Sequence, residues 1–242
     1  LVATIGQPTA VAASTTADQT KIKEGKELFA VGCASCHGLG GQGGTDGPSL
    51  IGVGAAAVDF QVSSGRMPLA APGAQAERKK PIYDEAQIAA MAAYVASLGP
   101  GPAIPSAEKY TAVDKNDAKY GEVLATGGEL FRTNCAQCHN FAGVGAALSH
   151  GKYAPSLMPA SDRQIYEAML TGPQSMPIFN DKTITPEDKK AIITFIDHLK
   201  EGQAPGGLAL GNFGPVTEGL FLFTAGLGAL IAVAVWIGVK AK

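Results

Sequence analysis

The sequence predicts a mainly α-helical chain in which one small module occurs twice in tandem and a single membrane-spanning helix follows. Three observations predict this. The four cysteines fall in two copies of one pattern, Cys33-Ala-Ser-Cys36-His37 and Cys135-Ala-Gln-Cys138-His139. A shift of 102 residues superposes the copies and also lays Gly25, Glu27, Leu28 and Phe29 on Gly127, Glu129, Leu130 and Phe131. Near the C-terminus, Leu220 to Val239 runs for 20 residues without a charge, enough for a helix to cross a bilayer.

Composition narrows the function classes. Of 242 residues, 46% are hydrophobic and 17% charged, the reverse of a disordered chain. A formal net charge of −2 gives no reason to propose nucleic acid as a partner. The 31 glycines and 15 prolines point to helices joined by long irregular segments.

The duplicated motif carries the chemistry. A zinc knuckle needs two more ligands near each Cys pair, and a redox dithiol does not need His next in sequence. Two matched Cys-x-x-Cys-His motifs instead predict two covalently bound haem c groups. Cys33 and Cys36, and Cys135 and Cys138, become thioethers on one porphyrin edge, and His37 and His139 take the proximal side of the irons. Such attachment is made outside the cytoplasm. The fold expected is therefore two class I cytochrome c domains in tandem with a C-terminal transmembrane helix.

Taken in order, residues 1–17 form a tail in which Leu1 to Gly6 and Ala10-Val11-Ala12 read either as the end of a leader or as a second anchor. Residues 18–98 form the first domain. It opens on a helix with Gly25 and Phe29 on one face. It closes on a helix that starts at an Asp84/Gln87 capping pair, continues in the stripe Ile88, Met91, Val95 and Leu98, and stops at Gly99. Residues 99–117 begin Gly-Pro-Gly-Pro-Ala-Ile-Pro and read as a semi-rigid linker. Residues 118–201 repeat the plan. Their closing helix starts at Thr185-Pro186-Glu187-Asp188, which supplies an N-cap, a proline at the first helical position and a capping-box acid. Its stripe is Ile192, Phe195, Ile196 and Leu199. A Gly/Pro-rich linker (202–215), the spanning helix (216–239) and a basic end (240–242) complete the chain. Trp236 near one end, with Lys240 and Lys242 beyond it, predicts a cytoplasmic C-terminus and extracytoplasmic haem domains at the cell membrane.

On the distal side of each iron the candidates are methionines. Met91 and Met169 sit in helical patterns and read as core, whereas Met67 and Met176 each precede proline between the haem motif and the closing helix. His/Met ligation favours ferrous iron and leaves no vacant position, which suits electron transfer better than catalysis at the haem. His150 is a weaker ligand candidate, and His198 flanks the helix stripe as a solvated residue. In small cytochromes c a proline carbonyl accepts the proximal His Nδ1–H. Pro48 and Pro155 occupy that place here, 11 residues after His37 and 16 after His139.

Gly47–Gly54 (Gly-Pro-Ser-Leu-Ile-Gly-Val-Gly), Gln61–Pro68 (Gln-Val-Ser-Ser-Gly-Arg-Met-Pro), Gly151–Pro155 and Leu210–Pro215, with the duplicated modules and the anchor, carry a family likeness. The chain resembles the dihaem cytochrome c subunit of the actinobacterial cytochrome bc1–aa3 respiratory supercomplex, over nearly its whole length. The resemblance implies an electron-transfer subunit of a menaquinol-oxidising translocase, with no quinol site or independent catalytic centre of its own. Its implied partners are a cytochrome b subunit, a Rieske iron–sulfur subunit, the oxidase subunit that carries the copper centre, and membrane lipid. Seven Lys/Arg against eight Asp/Glu between Asp18 and Leu98 agree with a fixed relay, since a diffusing carrier uses a basic face for steering. The competing readings are a dihaem donor or subunit of another oxidase or dehydrogenase, and a dihaem peroxidase.

Overall fold

The computed structural model describes residues 16–71, 73–202 and 215–241. Most of the predicted 1–17 tail, nearly all of the 202–215 linker and Lys242 lie outside the described residues. The chain is mainly helical and divides into two compact units. The first runs to Ile104 and also takes in Leu170–Ile178; the second comprises Pro105–Met169 and the chain from Phe179 on.

In the first unit, α1 (Thr16–Gly32) leads into the one-turn α2 (Ala34–His37), and α3 (Ala55–Ser63) and α4 (Glu85–Ser97) follow. Helices α1 and α4 pack against each other. Their approach depends on Gly25, since a Cβ there would collide with the carbonyl of Ala90. Next to that crossing the rings of Phe29 and Tyr94 meet at 5.2 Å, tilted by 58°. Phe29, Tyr94 and Val95 form one buried cluster, and Val62, Ile88 and Met91 form another. Burying each large apolar side chain contributes about 1.5–3 kcal/mol. Helix α4 begins with a full capping box: Gln87 N–H donates to Asp84 Oδ1 at 2.9 Å, and Asp84 N–H donates to Gln87 Oε1 at 3.0 Å.

In the second unit, α5 (Ala107–Tyr110) precedes α6 (Tyr120–Asn134), which leads into the one-turn α7 (Ala136–His139). A two-stranded antiparallel ladder, β1 (Ala146–Ala147) with β2 (Tyr153–Ala154), precedes α8 (Asp162–Thr171) and α9 (Pro186–Lys200). Helices α6 and α9 repeat the first crossing. A Cβ on Gly127 would collide with the carbonyl of Ala191, and Phe131 meets Phe195 at 5.4 Å. The same two residue types therefore set the same helix pair in both units.

The start of α9 departs from the capping box that its sequence predicts. Thr185 caps as expected, accepting from Asp188 N–H at 3.2 Å, but Asp188 Oδ2 accepts from the Thr185 hydroxyl at 2.8 Å. Aspartate is one methylene shorter than the Glu or Gln that normally reaches back to the N-cap amide.

The C-terminal segment is helical from Pro215 to Lys240: α10 (Pro215–Phe221), a π-helical stretch (Leu222–Leu227), then α11 (Gly228–Lys240). Thr224 Oγ1 donates to the Leu220 carbonyl at 2.7 Å, just where the helix widens. Thr217–Lys240 is one helix of 24 residues, long and apolar enough to cross a membrane. Its large apolar side chains, among them Phe223, Leu230, Trp236 and Val239, are exposed. Lipid is the solvent in which such a surface is stable.

Candidate haem sites

Each Cys-x-x-Cys-His motif sits at the end of the first long helix of its unit. Cys33 and Cys135 leave the main helices through N–H bonds to the carbonyls of Phe29 and Phe131, at 2.9 and 2.8 Å. A single turn then follows, so both cysteines and the histidine of a motif lie within five residues of helical chain. Cys33 packs against both buried clusters of the first unit.

The histidines are held alike. His37 Nδ1 lies 2.8 Å from the carbonyl oxygen of Pro48, and His139 Nδ1 lies 2.9 Å from that of Pro155. A carbonyl can only accept, so Nδ1 carries the proton shared with that oxygen in each ring, and the neutral tautomer this favours has its lone pair on Nε2. That is the tautomer that can ligate a metal through Nε2. Both rings are 9% exposed. Burial holds His139 below the usual imidazole range, against the opposing pull of the Pro155 carbonyl.

The loops that bring the prolines back are the same loop in two lengths. Gly43 N–H donates to the His37 carbonyl at 2.8 Å, and Gly145 N–H to the His139 carbonyl at 2.9 Å. Leu50 N–H reaches the Gly41 carbonyl at 2.7 Å, and Leu157 N–H the Gly143 carbonyl at 2.8 Å. Gly43 and Gly145 have φ of +84° and +87°, a region open to glycine. The five extra residues of the second loop lie between Gly145 and Pro155 and fold as the β1–β2 hairpin, turning at Ser149–Gly151. The insertion leaves the hairpin where it entered, so Pro155 still reaches His139. His150, the weaker ligand candidate, is at the exposed tip of that turn with φ +58°.

Thiol chemistry separates the motifs from reactive dithiols. Burial first, then the neighbouring Cys36, raises Cys33 above the usual thiol value. Burial, then Cys138, pushes Cys135 up to about 12. Redox-active Cys-x-x-Cys pairs have lowered values.

The methionine segments are built differently. Met67 packs, with Cys33, Leu28 and Tyr83, against the Val62–Ile88–Met91 cluster. Its N–H donates to the Gln61 carbonyl at 3.0 Å. Beside it the buried Arg66 guanidinium lies 4.9 Å from the centre of the Phe60 ring. Met176 is partly buried on Leu170–Ile178, and its N–H donates to the Pro173 carbonyl at 3.1 Å. Sequence reasoning missed the Arg66–Phe60 contact. It also missed Lys189, which is fully buried in α9, donates to Asp181 at 2.6 Å and to the Ile184 carbonyl at 2.9 Å, and lies 5.5 Å from the centre of the Tyr166 ring. A lysine on a helix reads as solvated, and nothing in the pattern marks this one as different.

The residues at both motifs fit haem c: two cysteines and an Nδ1-anchored histidine on one turn. The fold and sites define a class, a helical dihaem c-type cytochrome with a candidate membrane anchor. Residues 22–99 match the family described as cytochrome c, and residues 122–196 match cytochrome c oxidase, cbb3-type, subunit III. The chain is 53% identical over 229 residues to the cytochrome bc1 complex cytochrome c subunit of Corynebacterium efficiens, covering 91% of this chain and 77% of that one. It is 50% identical over 234 residues to the same subunit of Mycobacterium tuberculosis, covering 95% and 82%. A shorter likeness, 41% over 99 residues, links 35% of the chain to 32% of the cbb3-type cytochrome c oxidase subunit CcoP of Rhodobacter capsulatus. The chain belongs to the family of cytochrome bc1 complex cytochrome c subunits. It carries two covalently bound haem c groups and is an electron-transfer subunit that partners other components of the bc1 complex.

Proposed function

We propose that the chain is a fixed two-haem relay, taking electrons from a Rieske iron–sulfur subunit and delivering them to the copper centre of an aa3-type oxidase during menaquinol oxidation. The observation that carries this reading is the repetition of one haem-holding arrangement, His37–Pro48 and His139–Pro155, within a single chain that ends in an apolar helix. Two centres of one design on one anchored chain provide both a first acceptor and a final donor without a diffusing carrier.

In the proposal Cys33 and Cys36 bind the first haem, and Cys135 and Cys138 the second, by thioether bonds. His37 with Met67, and His139 with Met176, ligate the irons, while Pro48 and Pro155 orient the proximal rings. Bound haem supplies the one-electron couple. The chain's residues exclude water, hold each imidazole in its ligating tautomer and, through thioether sulfur, favour the ferrous state. Thr217–Lys240 crosses the membrane with Lys240 on the cytoplasmic side, following the positive-inside bias, and the haem units are extracytoplasmic.

The likeness of residues 122–196 to an oxidase subunit family supports an oxidase at the receiving end. Affinity purification in mild detergent tests the partners. The chain is expected to bring down b-type haem, an iron–sulfur protein and a copper-containing oxidase. Recovery with b-type haem but no oxidase would favour a complex served by a separate carrier.

A further inference from the structure

Different residues precede the two haem motifs: Gly32 stands before Cys33, and Asn134 before Cys135. In the second unit Asn134 folds back on its own helix, with Nδ2 donating to the Leu130 carbonyl at 2.9 Å. In the first unit Tyr83 takes the space over Gly32. A Cβ on Gly32 would collide with the Tyr83 hydroxyl and would lie 3.3 Å from its Cζ. Two features hold Tyr83 there. Its chain neighbour Asp84 is the N-cap of α4, fixed by the capping box with Gln87, and Tyr83 packs, like Cys33, against the Val62–Ile88–Met91 cluster. The matching place before the N-cap of α9 belongs to Ile184, which is 4% exposed and has no polar group in its side chain. A phenol hydroxyl therefore stands beside the first attachment cysteine, where the register of the second unit supplies an alkyl chain.

Burial first, then Cys33, raises Tyr83 above the usual phenol value, so the hydroxyl keeps its proton at neutral pH and is a donor. A hydroxyl hydrogen rotates to suit the acceptor in reach. With haem attached, the Cys33 sulfur is a thioether, a weak acceptor with no proton of its own. Donation towards it draws electron density from the porphyrin edge, and hydrogen bonding around a haem is one of the levers that set its potential. We propose that Tyr83 is a potential-setting residue of the first haem: seated on Gly32, its hydroxyl donates towards the Cys33 attachment and favours the ferrous state. Two haems held by matching His–Pro pairs are thereby made unequal. The proposal needs only a haem at Cys33 and is independent of which residue ligates the distal side.

The test uses the full chain with both haems. Tyr83→Phe keeps the ring and removes only the hydroxyl. Haem content should stay at two per chain, and the thermal midpoint of the haem absorbance should stay close to the parent's. In a potentiometric titration one haem should become harder to reduce. Its oxidised-to-reduced ratio at a fixed ambient potential should rise about threefold, the factor for one modest hydrogen bond, which is about 30 mV for a one-electron couple. The other haem should titrate as in the parent. Cys135→Ala/Cys138→Ala leaves the first haem alone on the full chain and assigns the shift, since Tyr83→Phe should produce the same fall in that background. Gly32→Ala keeps the hydroxyl but pushes it off its seat, and should lower the same potential. A Tyr83→Phe titration that overlays the parent at both haems refutes the role, as does a shift shared equally by the two. A fall that vanishes in the Cys135→Ala/Cys138→Ala background places the effect on the second haem and also refutes it.

Discussion

His139 Nδ1 lies 2.9 Å from the Pro155 carbonyl although the chain between them is five residues longer than the chain from His37 to Pro48. The β1–β2 hairpin absorbs the difference. Deleting residues 147–151, which leaves the second loop as long as the first, is expected to preserve both haems and to leave the second haem's potential close to the parent's in a potentiometric titration. A large drop in that potential, or loss of the haem, would mean that the hairpin itself shapes the site.

The helix crossings are the most sharply determined packing in each unit. Gly25→Ala or Gly127→Ala places a Cβ against a backbone carbonyl, which cannot rotate aside as a side chain can. Each is expected to destabilise its unit by about 1–3 kcal/mol, the range for overpacking. The measure is the midpoint at which haem absorbance changes on heating. Exposed Gly121, where a Cβ meets nothing within 4 Å, is the control and should tolerate alanine.

These two crossings were also the most legible part of the sequence, because Gly25/Phe29 and Gly127/Phe131 share helical spacing and a single shift. The histidine–proline pairs were legible through the same repeat. The hairpin was not, since strands of two residues carry no periodicity. The left-handed backbone of His150 was not legible either, because a positive φ outside glycine leaves no mark in the sequence pattern. The π-helical stretch at Leu222–Leu227 was hidden too, as uncharged apolar sequence has the same composition whichever helix it forms.

Lys189 and Asp181 offer a test of how a buried charge is held. Asp181 is half-exposed, whereas Lys189 is fully buried. Asp181→Ala leaves the ammonium without its counter-ion and is expected to cost about 3–5 kcal/mol. Lys189→Met removes the charge while filling the space and should cost less. Equal losses in a denaturant titration would show that the ion pair matters only through packing.

The distal ligands can be read from potentials. Met67→His and Met176→His should each lower the potential of one haem and leave the other in place, as bis-His ligation stabilises ferric iron relative to His/Met. Redox titration resolved by haem spectrum checks this. A variant with an unchanged potential would withdraw that methionine from the ligand set.

Removing residues 215–242 should release a soluble chain that still carries two haems. Electron delivery should then fall and become dependent on protein concentration, because the anchor holds the chain beside its partners at high effective concentration. Full turnover from the truncated chain at dilute concentration would show that protein contacts alone suffice.

The most direct test of the relay is oxygen consumption by the detergent-purified assembly, with a menaquinol analogue as donor and no soluble cytochrome c present. A fixed two-haem wire predicts sustained oxygen consumption at a rate that does not change when a soluble cytochrome c is added. An assembly that reduces both haems but consumes oxygen only after a soluble cytochrome is supplied would contradict the account.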